Sequence, residues 1–431
     1  MDLTSSTLQY EAGGLTLAFV VATVWLWPRL ARRGILPIAG RFMMIIASQL
    51  SLVLLVTLML NSYGDFYPTW QDLTGGGSNT VTIGSGPGNR ATQAGLSGSR
   101  LVLPADDSSL RQQPDLVHGP AAQVGQYSAV TIVGEHSGIQ QQAYVYLPPE
   151  YFQPAFQHTA FPVLTTYVGY PGSIQGVMAR LKLPQTAAKM MAAGQMRPTI
   201  VVLISQTVAT PRDTDCVDVA GGPQVETYLT SDYQTAMRSA YRVRPEAAAW
   251  GLVGFSEGGT CALENAMRHP NEFGVAVSLG GDFRDTEDAQ TGTLFGAKGT
   301  ARDKLLDGYN LLWRLEHLPA PKIKVLVATT AHGERDYAPT EAFLHAVRPP
   351  MEATPMVLSN GGHNFTTWGI ELTPSLTWMA RQLLPPAQIT TPPPTHKHTS
   401  AGPRPSGHGT QPPAKTDAWT PAQAAGPAGK P

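Results

Sequence analysis

Two stretches near the N-terminus are apolar without any period. Residues 15–30, "LTLAFVVATVWLWPRL", stay apolar until Pro28 and Arg29, and residues 42–60, "FMMIIASQLSLVLLVTLML", carry no charge. About 20 apolar residues span the hydrocarbon core of a bilayer. The pattern therefore predicts two transmembrane helices, at about 14–30 and 42–61, with residues 1–62 as a membrane anchor. Trp25 and Trp27 suit an interfacial position. A signal peptide is the competing reading of the first stretch, but its leader "MDLTSSTLQYEAGG" carries Asp2 and Glu11 and no basic residue. Arg29, Arg32, Arg33 and Arg41 lie between the two stretches. By the positive-inside rule that short loop is cytoplasmic, so the rest of the chain lies on the outer face of the cell membrane.

Patterning is lost over residues 75–99, where Gly, Ser and Asn dominate, and residues 63–123 read as a flexible linker. Residues 385–431, with runs such as "TTPPPTHKHTS", lack the apolar content to offset chain entropy and read as a disordered tail. Its His396, His398 and His408 read as solvated tail residues. Between them, residues 124–384 alternate short apolar runs with helical stretches. "SAVTIVG" and "QAYVYLPPEYF" open the domain, and "FPVLTTYVGY", "TIVVLIS", "WGLVGFS", "GVAVSLGG" and "KIKVLVATT" follow. Helices are expected near 185–193, 229–241, after Ser256 and near 376–384. Strands alternating with helices predict an α/β fold with a mostly parallel sheet.

Composition narrows the function classes. Charged residues are only 14% of the chain and the net charge is -1, which leaves no basic face for nucleic acid. The two cysteines, Cys216 and Cys261, form an even pair in a domain placed outside the cell, which favours a disulfide over two unrelated buried thiols.

The chemistry centres on "GLVGFSEGGTCALENAMRHP", residues 251–270. G-x-S-x-G alone is cheap in a chain with 43 glycines. Here an apolar strand precedes it and a helix of small residues follows, as a nucleophile elbow requires. Such a serine needs a base and an acid later in the chain. His269, His317, His332 and His345 lie in helical or loop settings without further signal, whereas "SNGGHNFTTW" puts His363 in a Gly-Gly loop after a late strand. Glu334 and Asp336, in "AHGERDYAPTEAF", follow the preceding strand, and either carboxylate suits the acid. Asp213, Asp215 and Asp218 suggest a calcium site, but their spacing is not that of an EF-hand loop. No metal or cofactor is therefore expected.

The motifs "AYVYLPPEYF", "FPVL", "GFSEGG", "HPNEFGVAVSLGG" and "GGHNFTTWGIEL" together resemble the esterase branch of the α/β hydrolases, which includes esterase D-like enzymes and the antigen 85 mycolyltransferases. The resemblance covers the whole globular domain. It implies an α/β-hydrolase fold, Ser256 as nucleophile, His363 as general base, and an Asp or Glu acid. Glu334 is favoured over Asp336 because it comes sooner after the strand. Where many relatives carry His-Gly after the first buried strand, this chain reads Tyr167, Val168, Gly169, Tyr170. Backbone N–H groups of Tyr170 and Glu257 are the expected oxyanion donors. Actinobacterial members with a "DTDC"-like segment imply a Cys216–Cys261 bridge bracing the elbow. The expectation is a membrane-anchored serine esterase acting on a small-molecule, lipid or glycan ester. An acyltransferase of mycolyltransferase type and an inactive binding module are the alternatives. The segment 284–318 is expected over the active site.

Overall fold

Side chains that alternate between two buried faces set the layering of this chain. In strand β8, Trp250–Phe255, Trp250 and Leu252 point into one apolar layer and Val253 and Phe255 into the other. A strand buried on both faces needs helices on both sides, and parallel order with crossover helices supplies them. The computed structural model describes residues 3, 5–64, 81–83, 99–111, 113, 115–209, 212–285, 287–334 and 337–389.

Among these residues ten strands form one sheet, in the order β11-β10-β9-β8-β6-β7-β4-β3-β2, with β1 paired to β4. The strands are β1 Val81–Ile83, β2 Val102–Pro104, β3 Gln126–Val133, β4 Ile139–Leu147, β6 Val163–Tyr167, β7 Ile200–Ile204, β8, β9 Val275–Leu279, β10 Lys324–Thr330 and β11 Glu352–Leu358. The six from β11 to β7 run parallel, and the β1–β4 end is antiparallel. β5, Thr159–Ala160, pairs separately with β12, Ala387–Gln388. This is the α/β fold with a mostly parallel sheet that the patterning predicts.

Helices α1 Ser6–Leu26 and α2 Ile35–Gly64 precede the sheet. Then come α3 Leu183–Ala192, α4 Tyr233–Ala240, α5 Glu257–Arg268, α6 Thr300–Tyr309, α7 Leu311–His317, α8 Tyr337–Ala346 and α9 Phe365–Gln382. Residues of α4, α5, α7 and α8 enter the core on one face of the sheet, and those of α3 and α9 enter it on the other.

Among the described residues one helix, over Ile35–Ser62, is long and apolar enough to cross a membrane. α1 is also helical, 21 residues long, and packs Ala12 near Leu58 of α2, but it falls short of that apolarity because its first turns hold Gln9, Glu11 and two glycines. Both helices expose large apolar side chains, such as Val21 and Val24 on α1 and Phe42, Leu50 and Val53 on α2.

The sheet reaches into the segment expected as linker. β2 pairs Val102 with Ile132, and Val102 is buried. Three residues carry too little pattern to be read as a strand in a Gly-rich context. Residues 65–80, 84–98 and 390–431 lie outside the described residues, so the linker and tail expectations fall largely there. The last helix begins at Phe365 rather than near 376, because Asn364 caps it by accepting from the Thr366 and Thr367 N–H groups, and it continues through Pro374.

Candidate active site

β8 stops at Phe255, and the chain turns into α5 at Ser256 with φ 56° and ψ −133°. A non-glycine residue at positive φ costs roughly 1–3 kcal/mol and persists only where its surroundings enforce it. They do so here. Ser256 N–H donates to the Leu279 carbonyl at 2.9 Å, and its own carbonyl accepts from Gly259 N–H at 2.8 Å. A Cβ on Gly254 would sit 1.9 Å from the Gly258 carbonyl oxygen, and one on Gly258 would sit 2.3 Å from the Val168 carbonyl oxygen. G-x-S-x-G is therefore a packing requirement in this chain.

Ser256 Oγ lies 2.8 Å from His363 Nε2, and His363 Nδ1 lies 3.2 Å from Glu334 Oε1. The Glu334 side chain is 1% exposed and that of His363 32%. Glu334 sits just past β10, where its N–H donates to Thr330 Oγ1 at 3.1 Å. The histidine loop is tied to the same strand end, since Thr330 Oγ1 donates to the Gly361 carbonyl and Gly361 N–H to that of His332. The edge-on ring of Trp368 backs the imidazole at 5.0 Å between centroids. Asp336, the other candidate acid, lies outside the described residues.

Tyr170 follows β6 and borders the cleft with Gly169, Ser256, His363 and Phe365. Gly169 runs so close that a Cβ there would lie 3.1 Å from Ser256 Cβ. Glu257 opens α5, where the first N–H groups of a helix have no intrahelical acceptor. Both expected donor residues thus flank the serine. Among the described residues, none of those lining this cleft comes from 284–318. That segment instead packs Leu294, Phe295 and Tyr309 against Val217 and Val219, since its apolar residues find their partners there.

Cys216 and Cys261 are joined, with Sγ atoms 2.07 Å apart. The bridge ties the 213–216 segment to the second turn of α5. The same segment brings Asp213 and Asp215 to the Glu257 side chain, with one carboxylate oxygen of each within 4.8 Å of the others. Asp218 is elsewhere, accepting from Thr227 N–H at 3.0 Å and from its hydroxyl at 2.7 Å. Burial, then the charges of Asp285, Asp213, Asp288 and Asp282, push the Asp215 carboxyl up to about 9.

Two further buried carboxyls carry no motif in the sequence. Glu371 on α9 has no exposed surface and neither oxygen has a hydrogen-bond partner. Burial, then the Glu334 charge, pushes it up to about 8. Glu226 holds Arg268 at 2.6 Å and His269 at 2.7 Å, and Tyr309 donates to it as well. That pairing accounts for His269, and His317 stacks on Trp313.

A "Putative esterase" family model matches residues 137–379. An uncharacterised protein of Corynebacterium glutamicum is 27% identical over 257 residues, which is 56% of this chain. The chain spans 57% of the length of that curated relative. Among solved structures, a ferulic acid esterase superposes with a TM-score of 0.50 at 16% identity, over 60% of this chain and 98% of its own. At that identity the likeness concerns the fold alone. A fluorophosphonate-binding serine hydrolase of Staphylococcus aureus gives a TM-score of 0.46 at 18% identity, over 61% of this chain and 99% of its own.

Proposed function

The chain belongs to the esterase family of α/β hydrolases, and we propose that it is a membrane-anchored serine esterase with Ser256, His363 and Glu334 as its triad. The observation that carries this reading is the unbroken relay of 2.8 Å and 3.2 Å from a strained elbow serine through an imidazole to a buried carboxyl. His363 Nε2 accepts the Ser256 proton as Oγ attacks the ester carbonyl. Glu334 fixes the ring and offsets the charge of the imidazolium. The N–H groups of Glu257 and Tyr170 receive the oxyanion, aided by the N-terminal end of α5. The imidazolium protonates the leaving alcohol, and an acyl-Ser256 ester remains. Water, deprotonated by His363, then releases the acid and restores the serine.

Glu334 is preferred to Asp336 because its carboxylate meets Nδ1 directly. Family membership points to small-molecule esters as substrates. An anchor in residues 1–62 fits the apolar, outward-facing side chains of α2, with a linker over 63–123 and the esterase domain over 124–384. The arginines between the helices and the disulfide both favour an extracytoplasmic domain. Transfer to a lipid or glycan alcohol would share every step up to the acyl-enzyme, and product analysis with an added alcohol separates it from hydrolysis.

The test uses the full chain in detergent and a fluorophosphonate probe. Labelling of the wild type and none of Ser256→Ala is expected. A wild type that stays unlabelled while folded would leave only a binding module.

A further inference from the structure

We propose that Phe255, Phe365 and Trp368 bound the acyl pocket and restrict the enzyme to esters of short acids, formyl or acetyl, on an alcohol of open size. The inference rests on the esterase reading of Ser256. Ser256, His363 and the three rings line one cleft, whose free volume is about 20 Å³. A single water needs about 10–15 Å³, so the space takes a methyl group and little more.

The chemistry assigns that space to the acid half of the ester. His363 Nε2 must protonate the leaving alcohol, so the alcohol points at the imidazole. The His363 side chain is 32% exposed, and that arm therefore runs toward solvent. The carbonyl oxygen turns to the proposed donors, the Tyr170 and Glu257 N–H groups. The acyl arm is left with the enclosed space.

The walls of the cleft are fixed. Phe255 ends β8, and Phe365 and Trp368 lie one turn apart at the start of α9. The Phe255 ring lies 5.3 Å from that of Phe365 and 5.1 Å from that of Trp368, and the last two are 5.2 Å apart between centroids. Each ring of this triangle blocks the other two. The 169–173 loop supplies further lining and is pinned at both ends. The Val168 carbonyl accepts from Gln206 Nε2 at 2.6 Å, and Ser173 Oγ accepts from the Gly176 N–H at 3.1 Å. Between them, a Cβ on Gly172 would lie 2.6 Å from the Gly169 carbonyl oxygen. A longer acyl chain must therefore displace a packed ring or a pinned loop. A long fatty acyl donor has no enclosed place beside Oγ.

The test compares p-nitrophenyl acetate, butyrate and octanoate with the full chain in detergent. kcat/KM should fall at least about tenfold from acetate to butyrate and further to octanoate. Phe365 is only partly buried, and Phe365→Ala opens the pocket. It should raise the butyrate-to-acetate ratio of kcat/KM about tenfold. That ratio is independent of the fraction of active enzyme. Phe365→Leu, read by the same ratio, covers the case in which Phe365→Ala fails to fold. Octanoate turned over as well as acetate, with both activities lost in Ser256→Ala, would overturn the short-acyl limit and leave the esterase reading standing. An unchanged ratio in both Phe365 variants would overturn the role of the aromatic wall. A folded wild type that turns over none of the esters and takes no fluorophosphonate label would overturn the esterase reading, and this inference with it.

Discussion

Replacing Glu334 by Gln removes the charge behind His363 while keeping the volume. Its cost follows from the geometry. An imidazolium at 3.2 Å from a carboxylate gains about 5 kcal/mol at an effective dielectric of about 20. Converted at about 1.4 kcal/mol per decade, that is close to 10⁴-fold in rate. The Glu334 side chain is 1% exposed but that of His363 is 32% exposed, so water screens one end of the pair. The expected loss in kcat is therefore about 10²–10⁴-fold. KM should hardly move, because Glu334 does not border the cleft. The assay is hydrolysis of a p-nitrophenyl ester by the full chain in detergent, with circular dichroism to establish folding. Asp336→Asn, measured alongside, should retain most of the rate. A folded Glu334→Gln enzyme that keeps more than about a tenth of kcat would refute the assignment, and a collapse in Asp336→Asn would transfer it.

The remaining predictions concern the frame around the serine. Cys216→Ala with Cys261→Ala opens a constraint across a sequence separation of 45, worth about 4 kcal/mol in the chain-entropy account. Calorimetry should show a drop of about 8–16 °C in melting temperature, and a negligible drop would contradict it. Gly258→Ala drives a methyl to 2.3 Å from a backbone oxygen, so α5 must shift and kcat should fall about 10²-fold. Gly369→Ala on α9 meets nothing within 4 Å and should leave the rate unchanged while stabilising by about 0.5–1 kcal/mol. Although burial opposes it, hydrogen bonds from His269 and Arg268 hold Glu226 down at about 2, against 4.5 for an ordinary glutamate. A depressed carboxylate stabilises above its unfolded pKa, so about 3 kcal/mol should be lost as pH falls from near 4.5 toward 2. Acid titration of Glu226→Gln should lack that limb, and an identical limb would assign it elsewhere.

What was legible in the sequence was whatever chain order and glycine spacing encode. Ser256, Glu334 and His363 each follow an apolar strand, and the parallel sheet brings those three strand ends to one edge. The same logic separated His363 from His269, which serves Glu226. The Glu257 side chain was illegible as a partner of Asp213 and Asp215 because their meeting depends on a loop crossing a helix start, with 41 residues between Asp215 and Glu257. Glu371 was illegible for a different reason. In "TTWGIELTPSL" it sits among apolar residues at helical spacing, and only the finished packing turns a glutamate there into a buried carboxyl beside Glu334.

The elbow is where these separate threads meet. Ser256 at φ 56° is held by the Leu279 carbonyl in front and by Gly258 wedged under the Val168 carbonyl behind. Gln206 holds that same Val168 carbonyl, and its amide lies beside the Glu257 carboxyl. The Glu257 carboxyl faces Asp213 and Asp215, and their segment is bonded back to α5 through Cys216 and Cys261. This closes a ring of contacts from Ser256 through Val168, just past β6, to the disulfide. Relaxing the strained serine would require several of those contacts to give at once, and a rigid ring is what lets Oγ stay aligned with His363 before any substrate arrives.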